Sequence, residues 1–116
     1  SGNTYVFEFT IAYTAAATTT GSRWSISGPA FTRVAYASEY SLAATTTTRN
    51  ANFVTAYDLP AGCNATSGST TSNQASIWGI ITPSANGDVI ARFASEVAGS
   101  AITANAGSVC YYQQTL

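Results

Sequence analysis

The chain of 116 residues has no histidine, no lysine and no methionine, and only 8% of it is charged. Each absence removes a class of function. Without histidine there is no Ser-His-Asp or Cys-His arrangement, and the commonest general base and metal ligand is missing. Two cysteines with no third thiol or imidazole do not make a zinc site, so no metal and no cofactor is expected. Arg23, Arg33, Arg49 and Arg92 stand far apart along the chain, whereas phosphate binding needs a dense cationic surface, so nucleic acid is not an expected partner. No apolar run approaches the roughly 20 residues of a membrane-spanning helix, and no membrane insertion is expected. No signal-peptide pattern opens the chain, and the missing methionine fits a trimmed chain, an excised piece or a removed initiator. Five carboxylates remain, Glu8, Glu39, Asp58, Asp88 and Glu96, none of them in a catalytic motif. Asp58 and Asp88 read as turn residues and Glu8 and Glu39 as solvent-facing strand positions, so no catalytic residue is assigned and the chain is not read as an enzyme.

What is present is apolar and aromatic. Hydrophobic residues make up 46% and aromatics 12%, well beyond what a disordered polar chain carries, and the length suits one domain over residues 1–116. Alternation with period 2 is strongest at the start, where Tyr5, Phe7, Phe9, Ile11 and Tyr13 share one face and Val6, Glu8, Thr10 and Ala12 the other. Further strands are expected from Arg23 to Ser27, turning Trp24 and Ile26 inward, and from Phe31 to Leu42. Others are expected over Asn52–Tyr57, Ala75–Thr82, Asp88–Ser95, near Ala101–Ala104, and Ser108–Thr115. Asn86-Gly87 between two β-branched runs predicts a tight hairpin, and Asn105-Ala106-Gly107 a final turn. Thr45–Asn50 reads as a loop with frayed ends and Gly62–Asn73 as the longest loop. The pattern predicts an all-β fold, an antiparallel two-sheet β-sandwich or jelly roll of about eight short strands, with a closed barrel as the alternative.

Several side chains stand out as candidate contacts. Cys63 in the polar loop and Cys110 in the last strand are either a disulfide, contributing roughly 4 kcal/mol in the chain-entropy model, or two free thiols. Trp24 and Trp78 are read first as core filling. Trp78, Tyr111 and Tyr112 are nevertheless candidates for stacking on a sugar ring or lining an interface, with Asn64 and Asn73 as hydrogen-bonding neighbours. Tyr111 and Tyr112 are adjacent, so a strand points them to opposite faces and leaves one exposed. Asn64-Ala65-Thr66 fits the glycosylation pattern but is discounted as a chance match in a Thr-rich chain. Arg23, Arg33 and Arg92 read as outward ladder partners, with an intersubunit salt bridge as the alternative.

The opening Asn3-Thr4-Tyr5-Val6-Phe7-Glu8-Phe9, then Ala15 to Gly21 with Arg23, Gly28-Pro29-Ala30, Arg92 to Ile102 and Ala106-Gly107-Ser108 together carry a resemblance. The chain resembles a domain of bacteriophage virion proteins, of the kind found in tail-fibre and other phage or prophage structural proteins. Phe93-Ala94-Ser95-Glu96-Val97-Ala98-Gly99-Ser100 is the most specific part, and Thr45 to Asn73 the least. The resemblance implies a non-enzymatic structural protein at the virion surface, a capsid decoration or cement subunit or a tail-fibre domain. Its implied partners are copies of itself, with a trimer expected by analogy, and other virion proteins. The alternative expectation is a carbohydrate-binding, receptor-recognising domain that takes a host surface glycan, and a pilus subunit is a weaker one.

Overall fold

The computed structural model describes residues 2–52 and 56–115. Among them there is no helix, and eight strands form two antiparallel sheets. β1 (Tyr5–Ala15), β3 (Phe31–Ala43), β4 (Thr46–Asn52), β5 (Asn73–Pro83), β7 (Ile102–Ala104) and β8 (Val109–Gln114) make the larger sheet. Its order is β4-β3-β5-β1, with β7 and β8 both on the far edge of β1. β2 (Ser22–Ser27) and β6 (Ile90–Ser95) pair as a two-stranded sheet that covers part of it. The sandwich is therefore unequal, six strands against two.

The period-2 pattern decides which face is buried. Phe7, Ile11 and Tyr13 of β1 meet Val34, Tyr36 and Tyr40 of β3 and Ala75, Ile77 and Ile81 of β5 in one core, closed from above by Trp24 and Ile26. Burying each of these large apolar side chains is worth roughly 1.5–3 kcal/mol. Gly79 lies between Phe7 and Tyr36 in this inner face, and a Cβ there would stand 2.6 Å from the Tyr36 Cβ. The missing side chain lets β3 and β5 approach at that point.

Several expectations change. Asn86-Gly87 is not a hairpin turn: β5 pairs with β1 and β3 while β6 pairs with β2, so residues 84–89 carry the chain from one sheet to the other. Gly87 is absent from the positive-φ residues and packs close to Pro29 instead. The threonine run belongs to a strand, because Thr46–Asn52 pairs with β3 in a true hairpin. The strand expected over Asn52–Tyr57 falls mainly on residues 53–55, outside the described residues, and Ala56 and Tyr57 are not in a strand. The turn expected at Asn105-Ala106-Gly107 is present, and it forms a bulge within one continuous edge. β7 and β8 lie end to end along β1, Gly107 takes φ 92°, and Ser108 Oγ accepts the Ala12 N–H at 3.1 Å in place of a backbone carbonyl. The same hydroxyl donates to Asn105 O at 2.8 Å, so the bulge is internally bonded.

Candidate interaction surface

The two long sides of the sandwich are finished differently. On the β2 side, residues 56–72 run as an irregular lacing segment. Asp58 N donates to Ile26 O (3.0 Å) and Asn64 N to Ser22 O (3.0 Å) on the free edge of β2, and Ser67 N donates to Thr18 O (3.0 Å) just before it. Leu59 is held by Tyr36, whose hydroxyl donates to Leu59 O (2.9 Å) and accepts from Leu59 N (3.0 Å). Arg23 donates to Pro60 O at 3.2 Å, and Leu59-Pro60 is cis. Gly62–Asn73, expected as the longest loop, carries no strand before Asn73, and its hydrogen bonds to both sheets make it a structural clasp.

Asn64 is its central residue. Its Oδ1 accepts Ser22 N (2.8 Å) from the smaller sheet, and its Nδ2 donates to Ser41 O (2.9 Å) and Thr48 Oγ1 (2.8 Å) of the larger. Asn73 is buried and likewise internal, its Oδ1 accepting Ser69 N (3.0 Å) and its Nδ2 donating to Ser69 O (2.6 Å). Both amides are used up inside the protein, which removes them from the glycan-contact candidates and leaves Asn64 no free amide for glycosylation.

On the opposite side the sandwich is open. β6 and β8 are its two lips, and no further strand among the described residues pairs with either. An apolar groove of about 630 Å³ lies between β8 and the 85–89 crossing segment, with Tyr5, Phe7, Phe9, Val89, Cys110 and Tyr112 among its lining residues, and a 330 Å³ hollow between β8 and β6 continues it against Phe93 and Val109. The register explains the lining. Tyr112 stands opposite Phe7 and Cys110 opposite Phe9, so both side chains belong to the inner, core-facing side of the larger sheet. The smaller sheet does not reach far enough to cover them, and Tyr112 is 75% exposed. Phe93 stacks on Trp24 (4.7 Å between centroids, 20°) yet remains 43% exposed on its groove side. Exposed inward-facing aromatics are the signal of an uncovered core, one that period-2 reading alone would have placed inside.

The outer face of the larger sheet carries a second feature. Glu8 is paired with Trp78 on one side and Tyr111 on the other, so the two aromatic residues flank one carboxylate in a row across three strands. Tyr111 is 68% exposed. Trp78 is only partly covered, with the Arg49 guanidinium 5.3 Å from its ring centroid, so it is not core filling, whereas Trp24 is fully buried. Glu39 stands opposite Arg49 in the β3–β4 ladder.

The remaining candidates are dispersed. Cys63 and Cys110 are both free, the first with its Sγ 3.7 Å from Ala94 O of β6 and the second on β8 beside Phe9. Burial raises the Cys63 thiol above its usual range, partly offset by Arg23 and reinforced by Glu96, so it is a thiol at neutral pH. Asp58 takes a left-handed φ of 59° and pairs with Arg92 at 2.9 Å across an exposed surface, an ion pair worth at most about 1 kcal/mol. Glu96 accepts the Gly21 N–H at 3.1 Å. Among the described residues no three His, Cys, Asp or Glu side chains gather into a metal-binding group. Compared with protein-family models, curated proteins and solved structures, the chain matches none of them.

Proposed function

We propose that this chain is a non-enzymatic structural subunit of a bacteriophage particle, displayed on the virion surface as a capsid decoration subunit or a tail-fibre domain. It works by packing against copies of itself and against neighbouring virion proteins. The observation that carries the reading is the open side of the sandwich, where the inner-face aromatics Phe93 and Tyr112 stay exposed between two unpaired strand edges. A chain that must stay monomeric covers or charges such a surface; a subunit of an assembly leaves it for a neighbour. The resemblance of the Arg92–Ile102 stretch to phage structural domains supports the same reading, as does a surface built from Thr, Ser, Asn and Gln, which suits hydrogen-bonded contacts of low charge. Cryo-electron microscopy of the native particle, with intact mass of its components, is the test. Copies arrayed on a capsid or along a fibre support the proposal, and absence from every particle refutes it.

A second reading has its own observation. Trp78 and Tyr111 sit two strand spacings apart, roughly 10 Å, with the Glu8 carboxylate between them and no strand covering them. Aromatic faces at that separation, with a hydrogen-bond acceptor between, suit successive rings of a glycan chain on a host surface. A glycan array probed with the wild-type protein and with Trp78→Ala decides it, since binding must be present in the first and lost in the second.

A further inference from the structure

We infer that the open side is closed by a second copy of this chain, joined through antiparallel pairing of β8 with β8 about a twofold axis normal to the sheets. The inference rests on the reading of the chain as a self-associating subunit and names the surface and symmetry involved. Thr115 N donates to Thr4 O at 2.8 Å, which fixes the phase of the β1–β8 ladder: Gln113, Tyr111 and Val109 bond to β1. Cys110, Tyr112 and Gln114 therefore direct their backbone N–H and C=O groups outward, away from the sheet. Those groups call for another strand rather than for a small ligand.

The other edges are blunted. β4 carries Arg49 and β6 carries Arg92, whereas Val109-Cys110-Tyr111-Tyr112-Gln113-Gln114 has no charge, proline or glycine. An uncharged strand meets no repulsion from its own copy, so β8 is self-complementary in charge. Centring the twofold on Tyr112 sets Tyr112 against its own copy and Cys110 against Gln114. Every outward backbone group of those three residues then has a partner. The same axis brings the two grooves together, so that the paired Tyr112 rings and the Phe93 edges cover the inner face that each copy leaves bare.

Of the exposed apolar side chains, Tyr112 and Phe93 face the groove, and Tyr111 flanks the β8 edge on the outer face. At the 150–250 Å² typical of an aromatic and exposures of 75%, 43% and 68%, these three rings offer roughly 300–450 Å² per copy, to which the unpaired backbone edge adds, in the range of a small, weak interface. Twofold pairing uses up the β8 edge, which makes the assembly a dimer rather than the trimer suggested by phage analogy.

Sedimentation equilibrium of the purified full chain tests this, with wild type, Tyr112→Pro, Tyr112→Lys and the outer-face control Val6→Lys, each checked for unchanged circular dichroism. Tyr112→Pro removes one outward N–H without touching the β1 ladder, and Tyr112→Lys sets like charges face to face at the twofold. The expected result is a particle of twice the 12.0 kDa chain mass, unaffected by ionic strength and by Val6→Lys. Dissociation is expected to be at least tenfold easier in whichever Tyr112 variant keeps the wild-type fold. A dimer indifferent to both substitutions, or a trimer, overturns β8 pairing while leaving a self-associating subunit. A monomer at every concentration up to about 1 mM overturns the pairing and the self-association on which it rests.

Discussion

Replacing Trp24 by alanine is the most direct test of how the smaller sheet is held. Trp24 has no exposed surface, lies 4.7 Å from the Tyr13 ring on one side and 4.7 Å from Phe93 on the other, and donates its indole N–H to Ser22 Oγ at 3.0 Å. With Ile26 it is a contact through which the smaller sheet rests on the core of the larger one. Truncation removes the whole ring, leaves a cavity and strands a buried hydroxyl, for an expected loss of about 3–5 kcal/mol. A domain of this size has about 5–15 kcal/mol in total, so the melting temperature is expected to fall by about 15 °C or more. Trp24→Phe keeps the stack with Phe93 and loses only the N–H donor and some volume, for an expected cost of about 1–2 kcal/mol. Urea unfolding followed by far-UV circular dichroism gives both values, and in either variant Trp78 fluorescence reports separately on the larger sheet. A loss below about 1.5 kcal/mol for Trp24→Ala, or equal losses for the two variants, would refute the claim that this ring anchors the smaller sheet.

Other expectations follow from named contacts. Asn64→Ala unties the clasp between the sheets and leaves the buried Ser22 N–H without its acceptor, for about 2–3 kcal/mol measured by denaturant titration; an unchanged midpoint would contradict its structural role. Ser38 Oγ is buried beside Ile77 with no hydrogen-bond partner, so Ser38→Ala should stabilise by about 1 kcal/mol, and a loss of stability would show that the hydroxyl is satisfied. Burial holds the Tyr40 phenol at about 12 against an ordinary 10.0, opposed by its bond from Asn50, and burial also raises Tyr13 and Tyr36. Because the unfolded chain releases these protons first, that stability is complete below pH 10 and falls as pH rises from 10 towards 12, by about 2–3 kcal/mol for Tyr40 alone. Tyrosinate absorbance that rises in a single step near pH 10 while the protein stays folded would contradict this.

The clearest lessons come from residues whose local signal was true but incomplete. Alternation in Tyr5–Tyr13 and the Arg23–Ser27 run gave both strands and their buried faces correctly, because period 2 is a property of the backbone and of side-chain polarity alone. The same holds for the opposite facing of Tyr111 and Tyr112. Asn64 and Asn73 looked available because polar residues in a Gly- and Ser-rich stretch read as surface, yet three of their partners, Ser22, Ser41 and Tyr13, lie more than twenty positions away along the chain. Trp78 looked like core because tryptophan usually is; its register opposite Glu8 places it outside.

By itself the amino-acid sequence determined that the chain is all-β, where most strands lie, and which of their faces are apolar, since these follow from residue-by-residue alternation. Tertiary structure alone decided which sheet each strand joins, that Asn86-Gly87 spans the sandwich instead of closing a hairpin, that residues 56–72 lace one side, and that β6 and β8 stay open on the other. The physical reason is that a strand's pattern specifies two faces but leaves its two hydrogen-bonding edges identical in any sequence. Only the packing of Trp24, Tyr13 and Phe93 across the core fixes how far the small sheet extends, and with it which edge is left without a partner.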